Sequence, residues 1–358
     1  GGGGDDDVSP PLSPKDDGKS KKGRLRKLLF SKATVSDLEK EHGTSTPSIG
    51  PVDLSDGTFV EALGAGVGGG VGQVFRVVSK QGLTYAVKVF DCEYLTPFDR
   101  DMVKREIFIM EALAHANIVK HLGHDFALDN HIALFMEYFT ATLRDVIRRS
   151  VKTATAARPN PMLDARTIAE VSYDIASGLH YLHTLPQPIV HRDLKPENIF
   201  MEMHHQEKRW LAKIGDFGEA KAIRNKNAAL HTRMIGTEGF RAPELYAKGS
   251  THNMTADIWS FGMVLFEMLT LSPPYSFDEA ATHFDLIRLA ESGTRPSFPD
   301  SSDHPGLITA EHATLTGLFT RCTEKTPTKR PSSKELMAKL YKVAQSTEPA
   351  APGAHMYM

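Results

Sequence analysis

The sequence predicts an α+β protein whose first part is rich in strands and whose second part is rich in helices. Three observations carry this. Short runs bounded by turn residues, at 58–63, 83–90 and 132–138, read as strands and all precede residue 139. Longer stretches at 164–184, from Asp257 onward and at 333–345 read as helices and all follow it. The length, 358 residues, exceeds one small core and fits two lobes, or one large domain with tails.

Composition narrows the class. A net charge of −2 gives no sign of nucleic-acid binding. The two cysteines, Cys92 and Cys322, lie far apart, which suggests a reducing compartment rather than a disulfide framework. No apolar run is long enough to cross a membrane; the longest, 261–271, is interrupted by Glu267 and stops before Pro273-Pro274. The first residues are Gly-Gly-Gly-Gly with no apolar signal core, and they read as a cut or engineered end. A cytoplasmic protein is expected.

Residues 1–50 are rich in Gly, Asp, Ser, Pro and Lys. They bury too little apolar surface to offset the entropy of ordering and are expected to be disordered. Within them, 19–30 is basic and then apolar, ending Arg24-Leu25-Arg26-Lys27-Leu28-Leu29-Phe30. It reads as a docking peptide or a peripheral contact with an anionic membrane, with a solvated basic tail as the plain alternative. Folded structure is expected from about Val52. The strand at 58–63 leads into Gly64-Ala65-Gly66-Val67-Gly68-Gly69-Gly70-Val71-Gly72-Gln73-Val74. Glycines let backbone N–H groups approach phosphates without a Cβ in the way. Alone, such a loop is as readily a flexible linker.

The strand at 83–90 puts Ala86 and Lys88 on one face. A small alanine leaves room for a flat ring, and the lysine reaches phosphate oxygens. Thr96 then caps a helix, with Pro97 in its first turn and Asp99 three residues after the cap. That helix runs to about Leu113 with Val103, Glu106 and Met110 on one face. Residues 132–138 are a buried strand, 143–150 a short helix and 151–161 a loop. In 164–184, Ile168, Val171, Ile175, Leu179 and Leu182 form an apolar stripe, which is core. A fully buried helix is expected to start at Asp257, and the tail at 346–358 is expected to be disordered.

The stretch between these helices decides the reading. Residues 190–218 contain His191-Arg192-Asp193-Leu194-Lys195-Pro196-Glu197-Asn198 and then Asp216-Phe217-Gly218. Two carboxylates, an amide and an ammonium suit a metal-nucleotide and an acceptor hydroxyl. The string resembles the catalytic loop and metal-binding turn of protein kinases. The resemblance extends over about 55–343. It implies a bilobal kinase fold, with a small antiparallel lobe at 55–138, a larger helical lobe at 140–343, and ATP between them.

The resemblance also assigns roles. Asp193 orients the acceptor hydroxyl, Lys195 stabilises the γ-phosphate, and Asn198 and Asp216 hold Mg²⁺. Lys88, paired with Glu106, fixes the α/β-phosphates. Leu63, Gly64, Gly66 and Gly69 cover the phosphates. The distance to Lys88 fits better if Gly72 and Val74 close the motif, which lengthens the loop tip by about three residues. Ala86 and Met136 line the adenine pocket, and Glu137 and Phe139 offer backbone groups to its edge. Thr237 touches Asp193 and Lys195. Arg192 and Lys221 match positions that bind an activation-segment phosphate, here on Thr232. Asp257 anchors the catalytic-loop backbone, and Arg330 pairs with Glu244.

Several residues depart from the pattern. His121, or Leu122 with a one-residue shift, stands where an apolar residue is usual. Glu238 and Phe240 replace a commoner proline and tyrosine on the surface that contacts the residue after the target hydroxyl. The Asp193-to-Asn198 string and Thr237 resemble the Ser/Thr branch. The strings GTEGFRAPELY and ADIWSFGMVLFEMLT resemble tyrosine-kinase-like or MAP kinase kinase kinase groups. The implied function is transfer of the γ-phosphate of Mg-ATP to protein serine or threonine, in a signalling cascade, with protein substrates and an upstream or docking kinase engaged through 19–30. A kinase-shaped scaffold that acts by recruiting partners, and a dual-specificity enzyme, are the alternatives.

Overall fold

The computed structural model describes residues 57–65, 72–79, 81–128, 131–154, 163–204, 206–207, 209–222, 237–246, 253–275, 280, 282–298 and 310–347. The expectations for 1–50, for 346–358 beyond residue 347, and for Gly66, Gly69 and Thr232 lie outside these residues.

A five-stranded antiparallel sheet forms the first lobe. Its strands are β1 (Gly57–Ala65), β2 (Gln73–Ser79), β3 (Thr84–Asp91), β4 (His121–Leu128) and β5 (His131–Glu137), in the order β1-β2-β3-β5-β4. Between β3 and β4 runs α1 (Pro97–Glu111). The expected capping box is present: the Thr96 side chain accepts from Asp99 N–H, and the Asp99 side chain accepts from Thr96 N–H. Strand alternation sorts the sheet into two faces. Phe75, Val77, Tyr85, Val87, Val89, Ala133 and Phe135 pack together on one, with Leu122 against them. Ala86 and Met136 face the other, towards the main core.

The second lobe is mainly helical. β6 (Ala141–Thr142) leads into α2 (Leu143–Thr153), then α3 (Ala165–Thr184) and the short β7 (Ile189–Val190). The hairpin β8 (Ile199–His204) and β9 (Arg209–Ile214) follows, then β10 (Lys221–Ala222), which pairs with β7. α4 (Met254–Thr270), α5 (His283–Ser292), α6 (Ala310–Cys322) and α7 (Ser333–Ser346) complete the lobe. α4 starts three residues before Asp257, because Asn253 caps it by accepting from Thr255 N–H. It is buried almost throughout, as its apolar run predicts. The stripe on α3 is wholly inside.

Two close approaches fix how these pieces sit. A Cβ added at Gly178 on α3 would lie 2.8 Å from the Asn117 carbonyl oxygen. Asn117 in turn donates to the Ala212 carbonyl of β9 at 3.1 Å. The Ile214 carbonyl accepts from Val119 N–H at 2.8 Å, so β9 and the segment before β4 join the two lobes directly. The expected α+β, two-lobed architecture is what the chain forms.

Candidate active site

The sheet register builds the upper half of the cleft. Lys88 on β3 lies opposite Val74 on β2 and Leu134 on β5, and Ala86 lies opposite Met136. These side chains therefore share the face that looks down on the second lobe. Val74 is thus the valine set across from the lysine. Leu63 on β1 is 43% exposed. A Cβ at Gly72 would come 3.0 Å from the Phe90 ring, which would have to shift to admit it.

Lys88 is buried and bridges two carboxylates, Glu106 Oε1 at 2.8 Å and Asp216 Oδ1 at 3.1 Å. Burial opposes its charge, but Asp216 and Glu106 outweigh burial and raise its pKa, so the ammonium stays charged. Burial and the nearby Asp216 push Glu106 upward, while the bond to Lys88 pulls it back. Asp216 is held below the usual carboxylate range: burial works against this, and Lys88 wins. The Asp216 backbone is left-handed, with φ 58°, which turns its carboxylate back into the cleft. Phe217 behind it is fully buried, edge-on to His191 at 5.2 Å.

The lower half hangs from Asp257. Its carboxylate accepts from Arg192 N–H at 2.9 Å, from His191 N–H at 3.0 Å, and pairs with His183 Nε2 at 2.8 Å. These partners outweigh burial and hold Asp257 below the usual range. The grip lets Arg192 adopt φ 70°. The loop that follows presents Asp193. Its Oδ1 accepts from both the backbone N–H and the hydroxyl of Thr237, each at 2.8 Å. Its Oδ2 lies 2.8 Å from Lys195 Nζ and accepts from Asn198 Nδ2 at 3.1 Å. Lys195 also donates to Thr237 Oγ1 at 2.7 Å, closing a triangle of Asp193, Lys195 and Thr237.

Asn198 spends its amide nitrogen on Asp193, at the carbonyl and the carboxylate. Among the described residues, its amide oxygen and the second oxygen of Asp216 accept no hydrogen bond. Two oxygen donors beside a buried ammonium suit a hard divalent cation and phosphate oxygens, so the residues fit Mg-ATP. At the segment joining the lobes, Met136 is buried. The Glu137 carboxylate grips Lys213 Nζ at 2.8 and 2.9 Å and accepts from Lys120 N–H at 2.6 Å. Phe139 follows, tilted against Phe200.

Arg192 is buried and donates its Nε–H to the Glu219 carbonyl at 2.6 Å. Lys221 lies in β10, and Thr232 is outside the described residues. Arg330 and Glu244 meet in a two-pronged pair at 2.6 and 2.7 Å. For the apolar position that the sequence left open, the register selects His121. It lies opposite Met136 on the inner face, and Leu122 is turned to the outer cluster. A bulge at Gly123 brings His124 onto the same face, stacked on His121 at 5.5 Å.

Sequence reasoning missed three contacts: His183 on Asp257, Lys213 on Glu137, and Arg144. Arg144 binds Glu197 at 2.7 Å and the buried Glu267, tying the catalytic loop to α4. Their partners are 53 to 123 residues away, and no local pattern marks them.

The comparisons with known proteins agree with this geometry. The protein kinase domain matches residues 58–342. This chain belongs to the protein kinase family. A relative from Dictyostelium discoideum named kinase and exchange factor for Rac B is 33% identical over 88% of this chain and 27% of its own length. A probable serine/threonine-protein kinase, roco8, from the same organism is 30% identical over 68% of this chain and 12% of its own. PTI1-like tyrosine-protein kinase 1 of Arabidopsis thaliana is 31% identical over 58% and 55%. The kinase chain described here therefore spans at most about half the length of these curated relatives. No helix among its described residues is long and apolar enough to cross a membrane.

Proposed function

We propose that this kinase transfers the γ-phosphate of Mg-ATP to serine or threonine hydroxyls of protein substrates. The observation that carries the reading is the Asp193 carboxylate. It is oriented by Thr237 and Asn198 and neutralised by Lys195, within a cleft whose roof holds the charged Lys88. Asp193 takes or orients the hydroxyl proton, and Lys195 stabilises charge on the transferred phosphoryl. Asn198 and Asp216 supply oxygens to Mg²⁺. Lys88, with Glu106, holds the α/β-phosphates. Leu63, Val74, Ala86 and Met136 flank the base, Glu137 and Phe139 meet its edge, and Gly64, Gly66, Gly69 and Gly72 cover the phosphates. The working unit is 55–343, with lobes at 55–138 and 140–343.

The Ser/Thr assignment draws on Lys195 and Thr237 and on the names of the Dictyostelium relatives. The tyrosine kinase name of the Arabidopsis relative keeps dual specificity as the second reading. A role in a cytoplasmic signalling cascade, with 19–30 as a docking segment for a partner kinase, belongs to the same proposal. So does phosphate on Thr232 docking at Arg192 and Lys221. Phosphoamino-acid analysis of labelled product tests the central assignment. Phosphoserine and phosphothreonine alone are expected, and phosphotyrosine would replace the reading with dual specificity.

A further inference from the structure

One acidic side chain close to Asp193 has no part in the phosphotransfer chemistry. Thr237 is fixed to Asp193 by two hydrogen bonds, and Glu238 is the next residue. A turn closed by Phe240 N–H on the Thr237 carbonyl, at 3.1 Å, holds it there. Gly239 in that turn has φ +86°, and a Cβ built there would meet Leu286 of α5 and the Pro274 carbonyl. The Glu238 carboxylate meets His283 Nε2 at 2.9 Å, with side-chain exposures of 23% and 71%. Its partner thus stands in solvent, where such a pair is weakly held.

Most other carboxylates around Asp193 are committed. Glu197 is on Arg144, Glu244 on Arg330, and Glu106 and Asp216 on Lys88. Asp257 is fully buried beneath the loop, and burial favours the neutral form of Glu219. Glu238 acts electrostatically on Tyr246, and the buried Arg241 lies over the Tyr246 ring at 4.9 Å. A peptide whose hydroxyl reaches Asp193 carries its next residue about 3.8 Å along the chain. Glu238, next to the Thr237 that holds Asp193 and paired with an exposed histidine, is a carboxylate within reach of that residue.

We propose that Glu238 selects acceptor peptides carrying lysine or arginine immediately after the acceptor residue, displacing His283 as the partner of its carboxylate. A guanidinium or ammonium there forms a charge-assisted hydrogen bond that a leucine cannot. The inference rests on the phosphotransfer reading above.

The test uses the full chain, Mg-ATP, and serine peptides alike except for Arg, Lys, Leu, Pro or Glu after the serine. A second set carries the same residues before it. For the wild type, kcat/KM is expected to be about tenfold higher for Arg or Lys than for Leu after the serine, the size of one charge-assisted hydrogen bond. Arg or Lys before the serine is expected to bring no such gain. In E238Q the ratio should collapse to about twofold or less, and in E238K the Glu peptide should overtake the Arg peptide. In H283A, at an exposed position that threatens no folding, the basic preference should sharpen. Equal wild-type kcat/KM across the first set, or a basic preference that survives E238Q and E238K, overturns the proposal. Transfer to none of the peptides, nor to the chain itself, overturns the phosphotransfer reading and this inference with it.

Discussion

Thr237 is where the account is most exposed at the scale of a residue. Its hydroxyl accepts from Lys195 and donates to Asp193 Oδ1, so one oxygen links the two beside their direct contact at Oδ2. Thr237→Ala removes that link, while Thr237→Ser keeps it. The alanine variant should lose about a hundredfold in kcat, a typical cost of disturbing an oriented acid–base group, with the serine variant within about tenfold of wild type. Steady-state kinetics on both variants checks this. Loss of equal size in both would assign Thr237 to packing instead.

Asp257 is a residue of stability rather than chemistry. It is fully buried, and three groups converge on it. Asp257→Ala strands two backbone N–H groups and should cost about 3 kcal/mol, as broken buried charge networks do. The sign with pH follows from its lowered pKa. Its contribution is present above the ordinary carboxylate value and fades only as pH falls through the lower folded value. Denaturant unfolding should therefore show the deficit undiminished from neutral pH down to about pH 5.

At the scale of elements, β4 behaves differently from its neighbours. The bulge at Gly123 (φ +159°) sets His121 and His124 on the inner face, where His121 Nε2 and His124 Nδ1 find no protein partner. Burial first, and then His124, push the His121 imidazole down to about 4, and burial also lowers His124 against the pull of Glu111 and Asp125. A histidine neutral in the fold but protonated when unfolded costs stability on acidification. Stability is full above about pH 6.5 and falls as pH drops from there towards 4. His121→Leu should flatten this slope, measured as the midpoint of urea unfolding between pH 4 and 7. An unchanged slope would mean the imidazole is not enclosed as described.

The strands and helices were largely legible in the sequence because their signals are local. Alternation gave β3 and β5, the cap Thr96 with Pro97 gave α1, and the apolar stripe gave α3. The start of α4 was read three residues late, since an Asn253 cap is a weaker mark than the apolar run it precedes. The glycine-rich turn could be aligned two ways in sequence. The structure places Val74 opposite Lys88 and His121 opposite Met136, registers that a single strand cannot show.

The whole molecule brings together what no single element holds. Lys88 and Glu106 come from the sheet lobe, and Asp193, Lys195, Asn198, Asp216 and Thr237 from the helical one. The string that carries the candidate site residues, 191–198 with 216–218, is distinctive in the sequence. The scaffolding that aims them, Arg144 across to Glu267 and His183 to Asp257, leaves no such mark, since it depends on chain returning over long separations. Arg144 and Asp257 both attach the catalytic loop to α4, so that buried helix is the anchor of the chemistry. The two lobes meet through Val119 and Ile214, through Glu137 and Lys213, and within the cleft through Lys88 and Asp216.

The most direct test compares wild type with Asp193→Asn at saturating Mg-ATP. It measures transfer of labelled γ-phosphate to a general acceptor such as myelin basic protein and to the chain itself, with nucleotide affinity determined in parallel. Transfer by the wild type, loss of at least about a hundredfold in the variant, and ATP bound about equally by both are expected. Transfer that persists in Asp193→Asn, or its absence in a wild-type chain that binds ATP, would contradict the claim that Asp193 and the residues around it form a phosphotransfer site.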